Sequence, residues 1–159
     1  MPGEDTAYWD SILGDLISST DIRMTGRLRK GNQIPAIPAA FGTVRRIHGC
    51  TKNIMVISYT WKKGAKMAPH LHDTEQISYV VDGRMEVHIG DETFVAEKGD
   101  SYTEPRNTLH WLTALEPSTT IEAFYPPRPV FAILEMAAVH NLSGAFENIS
   151  KSMDASSQS

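Results

Sequence analysis

Gly64-Ala-Lys-Met-Ala-Pro-His70-Leu-His72-Asp-Thr-Glu-Gln76-Ile-Ser-Tyr-Val-Val-Asp82-Gly83 carries two histidines two residues apart and a glutamine of the same parity. On extended chain, alternate side chains leave the same face, so His70, His72 and Gln76 point together if one strand runs through them. Converging imidazoles need a cause. A divalent ion supplies one, because it takes imidazole nitrogens at about 2.0–2.1 Å and accepts an amide oxygen as a further neutral ligand. Paired histidines on a strand also occur as plain surface pairs, so the pair alone does not decide. His110 follows Pro105 in a later apolar run, and adds a third nitrogen if the two strands face each other across a barrel.

Working outward, the chain from Gly42 to about Met136 consists of short runs rich in Val, Ile, Thr, Tyr and Phe, broken by Gly, Asp, Asn and Pro. That texture predicts an all-β sandwich or barrel. Strands are expected at 43–49, 53–61, 76–81, 84–89, 92–97, 101–104, 108–115, 119–125 and 129–135. Asp82-Gly83 between two runs is a hairpin signal, since the tight turn needs a positive φ. Met85, Val87 and Ile89 alternate with Arg84, Glu86 and His88, which buries one face and leaves His88 on the wet one. Upstream, Trp9, Ile12, Leu13, Leu16 and Ile17 recur at three- and four-residue spacing behind Asp5 and Thr6, predicting a short amphipathic helix over 6–18. Residues 18–41 mix Arg and Lys with Gly and Pro and read as an irregular arm on the body. The division expected is helix and arm over 1–41, barrel over 42–136, and a partly disordered C-terminal segment over 137–159.

A length of 159 residues fits one ordinary domain, and 41% hydrophobic with 21% charged residues fits a globular one. The formal net charge of −4 gives no net attraction to nucleic acid or an anionic membrane, and neither partner is expected. Cys50 is the sole cysteine, which excludes an intrachain disulfide and a Cys-based zinc site. The opening Met-Pro-Gly-Glu-Asp has neither a basic flank nor an apolar run. The longest apolar stretch, Val130 to Val139, falls far short of about 20 residues, so a cytoplasmic location is expected.

The spacing Gly64, five residues, His70, one residue, His72, three residues, Gln76, six residues, Gly83 resembles the first motif of the cupin superfamily. Gly99, five residues, Pro105, one residue, Asn107, two residues, His110 resembles the second. The resemblance implies a single double-stranded β-helix, or jelly-roll, barrel. It also implies one divalent ion (Zn, Ni, Mn or Fe) on His70, His72, Gln76 and His110. Three positions depart from the family: Gln76 replaces the usual glutamate ligand, Asn107 a glycine, and Ala114 a late asparagine. Asn tolerates positive φ better than most residues. A three-His, one-Gln shell is neutral, so a bound ion keeps its full charge and acts as a stronger Lewis acid, though it is held less tightly. Glu75 is the alternative ligand, but its parity is opposite to His72 and it needs a bulge.

Glu122-Ala-Phe124-Tyr-Pro-Pro-Arg128 is similar to Asp-x-Phe-x-Pro-Pro-Arg, with which many small bacterial cupins end their barrel. In those that linearise unsaturated uronates from pectin and alginate, the acid, aromatic and arginine belong to the active site. Carried over, Glu122 moves a proton, Phe124 floors the pocket and Arg128 clamps a carboxylate. The longer glutamate shifts the proton-transfer atom by about one methylene, so the sugar need not carry over. The plain alternative is a strand closed by Pro-Pro with Arg128 at the surface. Tyr102 and Glu104 share the family's inward parity and are candidates to line the cavity. Trp61 is a further candidate wall residue, or packing like Tyr59 and Trp111. His48 and His140 are read as structural and Cys50 as an idle thiol.

Together these features imply a metal-dependent enzyme acting on a small organic substrate with a carbonyl, enol or carboxylate. The chemistry expected is non-redox: isomerase, lyase, cyclase or ring opening. The alternatives are an iron-dependent dioxygenase using the same ligands and a non-catalytic small-molecule binding protein. A homodimer is expected, because an arm crossing a partner's sheet would cover a barrel edge.

Overall fold

The computed structural model describes residues 28–139, and the helix expected over 6–18 lies outside them. A 3-10 turn, Gly31–Gln33, leads into ten strands: β1 (Ile37–Pro38), β2 (Thr43–Cys50), β3 (Met55–Trp61), β4 (Lys66–His70), β5 (Glu75–Asp82), β6 (Arg84–Ile89), β7 (Glu92–Glu97), β8 (Ser101–Glu104), β9 (His110–Ala114) and β10 (Ser118–Tyr125). They form two antiparallel sheets. The larger has the order β1-β2-β3-β10-β5-β8 and the smaller β4-β9-β6-β7. Neighbours such as β10 between β3 and β5 are distant in sequence, which is the crossing connection of a jelly-roll barrel.

Period-two patterning makes these sheets. In β5 the burial alternates strictly from Glu75, exposed, to Gln76, buried, and on to Val80. β10 alternates with Ser118, Thr120, Glu122 and Phe124 inward. Between the sheets lie Ile47, Met55, Ile57, Val80, Met85 and Val87, all fully buried. Each such side chain contributes roughly 1.5–3 kcal/mol of burial. The tight turn expected at Asp82-Gly83 forms, with Gly83 at φ 89. It is not a hairpin: β5 belongs to the larger sheet and β6 to the smaller, so the turn carries the chain from one sheet to the other. A Cβ there would lie 2.2 Å from Ser118 Oγ and 2.6 Å from the Pro117 carbonyl oxygen, so both conformation and space demand glycine.

The run expected as a strand over 129–135 is instead a helix, α1 (Pro129–Val139). Pro129 occupies the first helical position, where its missing N–H costs nothing. Phe131, Ala132, Leu134, Glu135 and Ala137 are buried. A run that is apolar except for Glu135 carries no period that separates a buried strand from a buried helix, and here length and the leading proline decide. The helix packs on β1 and β2. The described part of the arm joins it, since β1 pairs with β2 and Arg29 ion-pairs with Glu135 of α1. No helix among the described residues is long and apolar enough to cross a membrane.

Candidate metal centre and active site

His70 ends β4 and His110 begins β9, and the two pair directly across the ladder. Their rings therefore lie side by side, with centroids 4.2 Å apart. His72 follows in the loop before β5, which is pinned where the Asn107 N–H donates to the His72 carbonyl at 2.9 Å. Asn107, standing where the family motif has glycine, is the single non-glycine residue with positive φ among those described, at 54°. One nitrogen from each of His70, His72 and His110 lies within 4.8 Å of the others, so one ion can span all three.

The hydrogen bonds decide which nitrogens those are. His70 donates from Nδ1 to the Ala68 carbonyl at 2.8 Å, and His110 from Nδ1 to the Thr108 carbonyl at 2.8 Å. His72 Nδ1 donates to Thr74, whose carbonyl and hydroxyl oxygens lie at 3.1 and 2.7 Å. A carbonyl only accepts, so the proton sits on Nδ1 and the lone pair on Nε2 in each ring. Nε2 of His72 and of His110 are buried without any partner. Orphaned ring nitrogens in a cluster, each oriented by a backbone carbonyl behind it, are the donor set a divalent ion requires. Burial lowers the His70 pKa to about 4, helped by His110, and lowers His72 to about 3, helped by Arg128. Burial also lowers that of His110. All three are neutral at pH 7, the form that ligates.

The larger sheet faces this cluster with side chains in register rows. One row runs Cys50, Met55, Phe124, Gln76, Glu104, and the next runs Ile47, Ile57, Glu122, Ser78, Tyr102. Gln76 is buried and donates its amide to Ser78 Oγ at 3.1 Å, leaving its amide oxygen as the atom it can offer a metal. Glu75 is exposed, and β5 runs regularly from Glu75 to Tyr79, so the bulge that would turn it inward is not present. Glu104 is 0% exposed, accepts from Ser78 at 2.9 Å, and leaves its other oxygen unpaired 3.9 Å from His110 Nε2. Burial raises its pKa to about 7. Glu122 is 4% exposed and accepts from Thr120 at 3.4 Å. Burial and the neighbouring Glu104 hold its carboxyl well above the usual carboxylate range. Two acids thus share one interior, both protonated more readily than in water.

Phe124 lies 6.0 Å, ring to ring, from His72, and the Arg128 guanidinium stands 5.8 Å over the Phe124 ring. Arg128 is half-buried, and its charge contributes to lowering the pKa of all three imidazoles. Tyr102 is buried with its hydroxyl unpartnered, edge-on to Phe94. Trp61 is not brought to the histidines. It is buried six residues along β3 from Met55, roughly 20 Å of strand, and its indole N–H donates to Thr120 at 3.0 Å. Ala114 is also set apart from the histidines, at the far end of β9 from His110 and buried opposite Met85. Cys50 is a buried thiol whose pKa burial pushes up to about 11, and it is inert. Residues 58–123 match the family model described as "Cupin domain". The chain is 36% identical over 92 residues to the pectin degradation protein KdgF of Dickeya dadantii, covering 57% of this chain and 84% of that one. The chain is a cupin.

The solved structure of KdgF from Halomonas sp. superposes on this cupin with a TM-score of 0.63 at 33% identity, covering 65% of this chain and 96% of that one. The chain is also 31% identical over 90 residues to the acireductone dioxygenase of Leptospira biflexa, covering 46% of this chain and 47% of that protein. Three features of the site were not visible as site residues in sequence: Ser78, which positions Glu104; the carbonyls that orient the imidazoles; and Arg45. The signal for Arg45 was its parity, which it shares with Ile47 on the inward face of β2.

Proposed function

We propose that this cupin is a metal-dependent, non-redox enzyme acting on a small organic substrate with a carbonyl, enol or carboxylate, of the isomerase, lyase, cyclase or ring-opening type. The observation that carries it is the trio of clustered imidazoles, two of them with buried, partnerless Nε2 atoms, beside two buried acids. His70, His72 and His110 would hold the ion, with the Gln76 amide oxygen as a fourth ligand. The ion, one of Zn, Ni, Mn or Fe, supplies Lewis acidity toward a substrate oxygen. Glu122 begins protonated and donates that proton to the reacting carbon or oxygen, then recovers one as the product forms. Glu104, fixed by Ser78, lies along the wall beside His110. Phe124 floors the pocket, Tyr102 lines its next row, and Arg128 takes a substrate carboxylate. The similarity to KdgF, a pectin degradation protein, supports sugar acids as the first substrates to try.

The test is turnover of an unsaturated uronate, followed by loss of its ultraviolet absorbance, with metal content measured on the same sample. Ring opening that is abolished by chelation and restored by metal supports the reading. Metal-loaded protein that consumes oxygen with an acireductone supports the dioxygenase alternative, which the partial similarity to acireductone dioxygenase favours. Metal without any turnover would leave the non-catalytic binding role. The assembly proposed is a homodimer, checked by light scattering.

A further inference from the structure

Arg45 lies on the inward face of β2, in register with Tyr59 on β3, and is 3% exposed. Its Nε and Nη2 have no hydrogen-bond partner. Its guanidinium carbon stands 4.0 Å from the centroid of the Phe131 ring, and that of Arg128 stands 4.6 Å from the same ring. Among the described residues neither arginine has a carboxylate within 4.0 Å. The acids nearby are engaged elsewhere: Glu135 with Arg29, and Glu122 with the Thr120 hydroxyl. Two guanidiniums sharing one ring repel each other, and a buried cation with unbonded N–H groups carries a desolvation cost that an aromatic face offsets only in part. An anion between them would relieve both.

We infer that Arg45 and Arg128 together form a subsite for the carboxylate of an anionic substrate, with Arg45 as a second anchoring residue. This rests on the reading of the histidine end as a metal-dependent active site, and narrows its substrate to small organic acids. The planar forks suit it, since a carboxylate has lone pairs enough for two guanidiniums. Position suits it too. Phe131 stacks edge-on to Phe124 at 5.8 Å, and Phe124 adjoins His72, so the arginines and the imidazoles flank one aromatic wall. An organic acid long enough to follow that wall could place its carboxylate on the arginines and another oxygen toward the histidines.

The experiment titrates the zinc-loaded full chain with malonate by calorimetry, using malonamide as the neutral control, in wild type and in Arg45→Met, with zinc content measured alongside. The wild type is expected to bind malonate and not malonamide, and Arg45→Met to bind malonate at least fivefold more weakly with zinc per chain unchanged. If Arg45→Met does not fold, Arg45→Lys replaces it, with the same fivefold threshold, because it keeps the charge and loses the fork. A smaller loss in the folded variant, or a wild type that binds malonamide as well as malonate, overturns the subsite. If the wild type binds no zinc, the metal reading fails instead, and the dependence of malonate binding on Arg45 is then decided on the metal-free protein.

Discussion

The inner faces of the two sheets are built by the same alternation and hold opposite contents. Beyond its histidine row, the smaller sheet presents hydrocarbon: Leu112 and Ala114 on β9, Met85 and Val87 on β6, and Ala96 on β7. The larger sheet interleaves its apolar residues with Gln76, Ser78, Glu104, Glu122 and Arg45, all buried. Hydrocarbon lowers the free energy of the fold wherever it is placed. Buried acids and guanidiniums raise it unless paired, and several atoms here are not. The hydrocarbon of the smaller sheet therefore maintains the barrel, while the larger sheet's inner face, together with the histidines across from it, holds chemistry that the barrel must support.

If that division is right, substitutions on the two faces should separate function from stability. The largest effect is expected from His110→Ala, which removes one of three convergent nitrogens. Metal content after dialysis should fall from one ion per chain to a trace, while the metal-free melting temperature stays near wild type. Retention of stoichiometric metal would remove His110 from the centre. Next, Glu122→Gln keeps the shape of the side chain and removes its proton, so turnover should drop by about 10²–10⁴-fold with metal still bound. Unchanged turnover would assign the proton to another group.

On the hydrocarbon face the pattern should invert. Leu112→Ala should cost about 2–5 kcal/mol in denaturant unfolding, with the metal stoichiometry of the surviving folded protein unchanged. The smallest effect concerns pH in the metal-free protein. The folded imidazoles resist protonation down to about 4 for His70 and about 3 for His72, whereas in the unfolded chain they take protons below about 6.5. Their contribution to stability is thus full above about 6.5 and is lost as pH falls toward 3. Glu104 acts oppositely. Its raised pKa favours the fold below about 4.5, and that advantage is lost as pH rises through about 7. Of these groups only the imidazoles act below about 4.5. Thermal melts between pH 4.5 and 3 should therefore fall less steeply for a His70→Gln, His72→Gln double variant than for wild type, and equal slopes would contradict the depressed histidines.

Much of this was legible beforehand, for local reasons. The Asp82-Gly83 turn and the alternation in β6 are short-range, but no single strand runs through His70, His72 and Gln76. β4 ends at His70, His72 lies in the loop, and Gln76 is on β5 of the other sheet, so their convergence is made by the barrel and not by strand parity. Asn107 could be expected at positive φ because it stands where the cupin motif has glycine, and Asn tolerates that conformation. What escaped was whatever depended on a distant surface. The run after Pro129 had composition for either element and became a helix packed against β1 and β2. Trp61 has the side chain of a pocket wall, but its position along β3 takes it to the other end of the barrel. Glu104 was visible as an inward acid, but not that Ser78 would hold one of its oxygens and leave the other beside His110.

By itself the sequence determined the β architecture and the turns, because period-two patterning and glycine or asparagine at positive φ are properties of neighbouring residues, while the set of His70, His72 and His110 came from the resemblance to the cupin motifs. Only the tertiary structure decided which nitrogen of each imidazole is free, which acids share the interior, and that Arg45 meets Arg128 over Phe131. Those relations join strands far apart in the chain, and they are set by register, burial and electrostatics across the barrel, which local spacing does not encode.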